Sequence, residues 1–163
     1  MFRLLLTMMA FQLSLLSSQA QVRFGYCSYE QALKSLTGYE TVQNDMASLR
    51  KQYDAEMKRA EEEFNKKYEE FLDGQREFAP SILQKRQSEL QELLSRNVAF
   101  KQEAARLLAN AEAEAMAPLH QQLAAQLRDI GQKQGLAFIL NTDNNACPYI
   151  DPLQGIDVGP LIK

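Results

Sequence analysis

The residues of this chain that are suited to acid, base or metal chemistry are few and isolated. His120 is the single histidine among 163 residues, and no cysteine, histidine or paired-carboxylate motif surrounds it. Residues 143–145 are Asp-Asn-Asn, but they lack the spacing and the terminal glutamate of a calcium loop. No glycine-rich phosphate loop occurs in the sequence. The sequence therefore predicts a protein that is not an enzyme and that uses no metal and no cofactor.

The first 20 residues have the pattern of a cleavable export signal. Arg3 precedes an apolar run over residues 4–16, and Ser18 and Ala20 are small residues at the positions that a signal peptidase inspects. An N-terminal membrane anchor is the alternative, but the run is shorter than the roughly 20 residues that span a bilayer. We expect a signal peptide at 1–20, a mature chain that begins at Gln21, and no stable membrane insertion after cleavage.

Two cysteines, Cys27 and Cys147, lie near opposite ends of the mature chain. Export to an oxidising compartment permits a disulfide between them. Both also lie in apolar, strand-like surroundings, so two buried free thiols are the other interpretation. A catalytic thiol is not expected, since the sequence has no CxxC motif and no cysteine-histidine pairing.

The elements that must carry any function are two long, charged, amphipathic segments without glycine or proline. They cover residues 39–73 and 81–117, and a tip at 74–80, which begins with Gly74 and ends with Pro80, joins them. Gly38 and Pro118 lie just outside. This punctuation predicts an antiparallel helical hairpin with arms about 50 Å long, at about 1.5 Å of rise per residue.

Apolar residues recur along both arms with an 11-residue spacing, which is typical of helices that lie nearly straight or coil slightly right-handed. We expect Ser81 to cap the return helix. The predicted stripe of the first arm is Met46, Leu49, Tyr53, Met57, Ala60, Phe64, Tyr68 and Phe71, and that of the second arm is Leu83, Leu94, Ala105, Met116 and Leu127.

The charge balance excludes a basic surface for nucleic acid. Without residues 1–20, 17 Lys and Arg stand against 21 Asp and Glu, and the segment 39–117 holds 16 of the acids and 12 of the bases. The charges come in mixed clusters, as on a solvated helix face. Binding to DNA or RNA is therefore not expected.

The two chain ends, residues 21–38 and 118–163, predict a small β-rich body, which makes the fold class α+β. We expect strands at 22–27, 136–140 and 146–150, with Pro148 placing the last at an edge. Ser28 is expected to cap a short helical turn, and Pro118 to kink a helix that ends at Gly135. Three short strands bury little core, so self-association is expected.

The order of these features resembles the Skp/OmpH family of periplasmic chaperones. Phe24-Gly25-Tyr26, residues 135–141, Tyr149 and Asp151 are the most family-like stretches. The resemblance implies a homotrimer in which the strands of three subunits form a β-barrel and three hairpins project as tentacles. It also implies an ATP-independent holdase that binds unfolded outer-membrane proteins in the periplasm of a Gram-negative envelope. The acidic arms depart from the basic surface of well-known members, which puts binding to anionic lipid or lipopolysaccharide in doubt.

If the protein is such a chaperone, the apolar residues that two helices cannot bury between them are predicted to contact the unfolded client. A coiled-coil structural or adaptor protein with one defined partner stays as the alternative function. The client-contact candidates are Met57, Leu72, Phe78, Ile82 and Phe100, and the trimer-interface candidates are Val22, Phe24, Tyr26, Phe138 and Leu140.

Overall fold

The computed structural model describes residues 22–163, so the predicted signal peptide lies outside the described residues. Within these residues, three helices and three strands follow in the order β1, α1, α2, α3, β2, β3. Their bounds are Phe24–Cys27 for β1, Tyr29–Lys34 for α1, Tyr39–Gly74 for α2, Pro80–Gln134 for α3, Phe138–Asn141 for β2 and Gly155–Asp157 for β3. Short 3₁₀ turns cover Asp143–Asn145 and Gly159–Leu161.

The helical hairpin is confirmed, with α2 and α3 as its arms. Tyr53 and Phe100 approach with ring centroids 6.2 Å apart. Further out along the arms, the Asn97 side-chain amide donates to the Ala60 carbonyl oxygen over 3.0 Å. From Tyr53 to Ala60 the position on α2 advances, while the contacted position on α3 moves back from Phe100 to Asn97, so the two helices run antiparallel.

At the tip, the predicted helix ends are close to those observed, but the predicted cap is wrong. α2 ends at Gly74 and α3 begins at Pro80, whereas Ser81 lies inside the helix. The carbonyl of Ala79 accepts from the amides of residues 82 and 83, which places Ala79 at the cap position. Proline is favoured at the first helical residue because the amide hydrogen it lacks has no partner there.

The apolar stripe of α3 is shifted from the predicted one in the middle of the arm. Leu93 and Ala104 are buried, whereas Leu94 is 49% exposed and Ala105 is exposed. Residues 93 and 94 are both leucine, so periodicity alone had no means of choosing between them.

The strands form one parallel sheet in the order β2-β1-β3. Phe24 of β1 pairs with Phe138 of β2 on one side and with Gly155 of β3 on the other. The strands predicted at 22–27 and 136–140 are therefore confirmed, although each begins two residues later than predicted. The strand predicted at 146–150 is wrong, since the third strand is Gly155–Asp157.

The position of β3 depends on a close approach to β1 at Gly155. A Cβ atom at this position would lie 2.8 Å from Phe24, 2.9 Å from Ile150 and 3.0 Å from Tyr26. Only glycine leaves room for these side chains. The segment that contains Pro148 lacks one ladder donor and precedes a turn in which the Asp151 carbonyl accepts from residues 154 and 155.

Contacts divide the described residues into two units. One unit contains residues 22–31 together with Gln126–Ile162, and the other contains Ala32–Ala125. The domain boundaries predicted from the sequence, at residues 38 and 118, stay a prediction. Helix α3 continues without a break through Pro118, so the proline does not end the helix.

Burial is concentrated in few places. In the hairpin unit, Leu36, Met46, Leu119 and Leu123 are buried, and Leu123 has no exposed surface. Beyond Leu93 toward the tip, the apolar side chains are at most half-buried. Two helices alone cannot enclose their shared face, so the outer arm keeps apolar surface in contact with water.

Candidate functional site

Asp143, in the turn after β2, joins the sheet to the start of α1. Its carboxylate accepts from the Ser28 hydroxyl over 2.5 Å and from the Glu30 amide over 2.9 Å. The Ser28 oxygen in turn accepts from the Gln31 amide over 3.1 Å, which confirms Ser28 as the cap of α1. The hydrogen bond from Ser28, followed by that from Glu30, holds the pKa of Asp143 below its ordinary value. This arrangement stabilises a helix start and forms no catalytic pair.

Both cysteines are free thiols in the structure. Cys27 is buried, and Cys147 is half-buried with its Sγ 3.7 Å from the Tyr149 carbonyl oxygen. Burial raises the pKa of the Cys27 thiol, and the carboxylates of Asp157 and Asp143 raise it further. A thiol with a raised pKa remains protonated and is a poor nucleophile.

One face of the sheet is covered within its own unit. A Cβ atom at Gly25 would lie 2.9 Å from Leu136 and 3.0 Å from Val158, and Val158 has no exposed surface. Near the end of α3, a Cβ atom at Gly131 would lie 3.8 Å from the Ile139 side chain. This face therefore packs against the last turns of α3 and the C-terminal segment.

The opposite face carries the predicted trimer-interface residues and stays partly exposed. Phe24 and Phe138 stack with ring centroids 5.7 Å apart. Tyr26 and Leu140 are register partners on the same face and are half-buried. Phe138 is 48% exposed, and Val22, just before β1, is 62% exposed. The structure thus brings four of these five candidates together on one apolar face.

The tip of the hairpin is closed by Phe78. Its ring lies over Gly74, where a Cβ atom would be 2.5 Å from the ring, and its centroid is 6.4 Å from that of Phe71. Phe78 is half-buried as a result, whereas its fellow candidates Leu72 and Ile82 are 42% and 47% exposed. Its packing explains the turn, and its role as a client contact stays a prediction.

A groove runs between the arms on one side of the hairpin. It has a volume of about 530 Å³. Its apolar lining includes the candidates Met57 and Phe100 together with Leu94 and Val98, which the sequence analysis did not select as contact residues. We call it the mid-arm groove, and its lining residues are Asp54, Met57, Lys58, Ala60, Glu61, Phe64, Asn65, Leu94, Asn97, Val98, Phe100 and Lys101.

The lining of the mid-arm groove includes a polar contact between the two helices. The Asn97 side chain donates to the carbonyl oxygen of Ala60. Because these residues are asparagine and alanine, neither position supplies a large apolar side chain. Leu94 and Val98 line the groove while remaining 49% and 50% exposed. The sequence shows an apolar pair four residues apart, but the 11-residue pattern assigned Leu94 to the hairpin core, so the sequence analysis missed these two groove residues.

The charged side chains of the arms form ion pairs at their surface. Arg50 of α2 and Glu112 of α3 bridge the helices over 2.6 Å, with both side chains about half-exposed. Other pairs, such as Lys58 with Glu62, link neighbouring turns of one helix. Exposed pairs of this kind contribute about 0–1 kcal/mol each, so they favour solubility more than stability.

Among residues 22–163, no three His, Cys, Asp or Glu side chains are grouped so that they hold a metal ion. In that same part of the chain, no helix combines the length and the hydropathy needed to cross a bilayer.

The family model described as outer membrane protein (OmpH-like) matches residues 23–162. This range includes the sheet, both arms and the tip. A search of curated proteins finds no match to the chain.

Proposed function

The chain belongs to the OmpH-like outer membrane protein family, and from this premise we propose that it is an ATP-independent holdase chaperone of the periplasm. Its clients are unfolded outer-membrane β-barrel proteins, which it keeps from aggregating during transit to the outer membrane. The observation that carries this proposal is the family match together with a long hairpin whose outer part leaves apolar side chains half-exposed.

The chemistry of the client fits such an arm. An unfolded barrel protein has alternating apolar segments and unpaired backbone groups, and it aggregates through both. Many half-exposed apolar contacts, each of them weak, retain such a chain without selecting one sequence. Mixed surface charges keep the holding protein soluble. Holding of this type requires no catalytic group and no cofactor.

The working unit is a homotrimer assembled through the apolar face of the sheet. Phe24, Tyr26, Phe138 and Leu140 share this face, and a soluble monomer would keep it in water. Neighbouring copies of the same sheet supply apolar surface of matching composition. Closure of three sheets into a barrel would also pair the edges that β2 and β3 leave open.

Light scattering of a urea-diluted outer-membrane β-barrel protein tests the holdase function. The full chain is expected to suppress scattering in proportion to its concentration, with saturation near one trimer per client. Native mass spectrometry of the free protein, run in parallel, is expected to give three times the chain mass. Unchanged scattering at a molar excess of trimer would refute the holdase function, and a fixed complex with one unrelated partner would favour an adaptor.

A further inference from the structure

Folding of the hairpin leaves the apolar walls of the mid-arm groove incompletely buried. The seam between α2 and α3 buries Leu93 and Ala104, while Leu94 and Val98, on the adjacent part of α3, keep about half of their surface in water. Met57 and Phe64 of α2 supply the opposite wall. A volume of about 530 Å³ falls in the range of about 300–1,000 Å³ that is common for ligand clefts.

The charges around the groove balance, although the arm as a whole is acidic. Asp54 and Glu61 stand against Lys58 and Lys101 among the lining residues. The segment 39–117, by contrast, holds 16 acids and 12 bases. A cationic peptide would therefore gain little by entering the groove, whereas an uncharged apolar segment would meet no net charge there. The groove is complementary to a neutral occupant.

Leu94 and Val98 are the two anchors of the groove on α3, and the distance between them matches the repeat of an extended chain. Leu94 and Val98 lie four residues apart, which corresponds to about 6 Å along the helix axis at about 1.5 Å per residue. In an extended chain, side chains on one face recur every two residues, or about 6.6–6.8 Å. Two successive same-face side chains of an extended segment are thus able to contact the two anchors at once.

We propose that the mid-arm groove is a docking site for a short, uncharged, extended segment of an unfolded polypeptide in which apolar and polar residues alternate. Its apolar side chains pack between Met57 and Phe64 on one wall and Leu94 and Val98 on the other, and its polar side chains face water. The identity of the segment as part of an outer-membrane protein rests on the proposed function, whereas the groove and its preference for alternation are properties of the arm.

Fluorescence anisotropy with a labelled peptide tests this assignment on the full chain. The probe is a short uncharged peptide in which valine or phenylalanine alternates with serine or threonine. Its comparison peptide has the same composition, with the apolar residues in one consecutive block. We expect the alternating peptide to bind several-fold more tightly, because only it presents the anchor spacing on one face. Equal affinity for the two peptides would overturn the preference for alternation.

A matched pair of variants on α3 locates the binding site. Leu94→Gln, in the groove, is expected to raise the Kd of the alternating peptide about fivefold to tenfold, because a half-exposed leucine still has about half of its apolar surface to bury. Leu107→Gln makes the same change on the same helix outside the groove, at a site 37% exposed. It is expected to change the Kd less than twofold.

The opposite wall and the fold are checked in the same experiment. Met57→Gln is expected to weaken binding as Leu94→Gln does, and circular dichroism is expected to show native helix content in all three variants. Equal Kd values for Leu94→Gln and Leu107→Gln would overturn the assignment. A change in oligomer mass caused by Leu94→Gln, without loss of peptide binding, would instead make the groove a contact between copies. Because scattering tests the proposed function and the peptide Kd tests the groove, failure of one is distinguishable from failure of the other.

Discussion

Replacement of Gly155 by alanine is expected to destabilise the protein through one added methyl group. That Cβ atom would lie 2.8 Å from Phe24, 2.9 Å from Ile150 and 3.0 Å from Tyr26. Carbon atoms in optimal contact are about 3.5–4.0 Å apart, so three neighbours must each move by about half an ångström or more. Two of them are rings on the same apolar face, and one of these rings is stacked on Phe138. The phenylalanine ring therefore cannot shift without disturbing its neighbour.

Overpacking of this type costs about 1–3 kcal/mol. For a chain of 163 residues, 1 kcal/mol corresponds to about 2–4 °C in Tm, so the expected decrease is about 2–12 °C. Thermal unfolding followed by circular dichroism at 222 nm measures this shift at matched protein concentration, because association of copies makes Tm concentration-dependent.

Gly131→Ala is the matched control for this prediction. Gly131 lies inside α3, and a Cβ atom there would be 3.8 Å from the nearest side chain, which is ordinary contact. Alanine in a helix interior is favoured over glycine by about 0.5–1 kcal/mol, so this variant is expected to melt at or above the wild-type temperature. An unchanged Tm for Gly155→Ala would refute the argument that β3 needs glycine to lie against β1.

Three further predictions concern the interface, the start of α1 and the seam of the hairpin. Phe138→Asp places a charge on the apolar face of the sheet and is expected to shift native mass spectra toward monomer. Gln132→Asp, on the exposed surface of α3, is the control and is expected to leave the mass unchanged. Equal masses for the two variants would count against assembly through this face. The depressed pKa of Asp143 means that its stabilising effect is present above the unfolded-state pKa of about 3.9 and is lost as the pH falls through the lower folded-state value. Asp143→Asn is therefore expected to lower Tm at neutral pH and to weaken the acid dependence, and parallel melting curves from pH 7 to pH 2 would contradict this. Asn97→Asp removes the donor to the Ala60 carbonyl and is expected to destabilise the hairpin by about 1–3 kcal/mol in urea unfolding, while no loss would show that this hydrogen bond is dispensable.

The amino-acid sequence was sufficient to predict the arms because their signals are local. Gly74 and Pro80 bound the tip, and the observed helix ends lie within one residue of the predicted ends. The apolar spacing of α2 was also informative, since Met46 is buried and most of the predicted stripe is half-buried. Tyr68 is the exception, as it is 45% exposed and stacks on Phe64 with ring centroids 5.9 Å apart.

The sheet was less predictable because its strands are short and depend on distant partners. Residues 155–157 are Gly-Ile-Asp, which have weak strand propensity, yet they pair with β1 more than a hundred residues earlier. Residues 146–150 have the better strand composition but do not form a strand. The close packing that Gly155 permits against Phe24 and Tyr26 therefore outweighs local strand propensity.

By itself, the sequence determined the helical hairpin, its acidic surface and the small sheet-forming body, because helix periodicity, chain breakers and charge are read over neighbouring residues. Only the tertiary structure decided which leucine of the pair at 93 and 94 is buried, which face of the sheet stays exposed and where the arms leave a groove. Those outcomes depend on how α3 is rotated against α2 and on how three strands meet. Rotation and pairing are set by the sum of contacts between segments far apart in the chain, and no local pattern contains that sum.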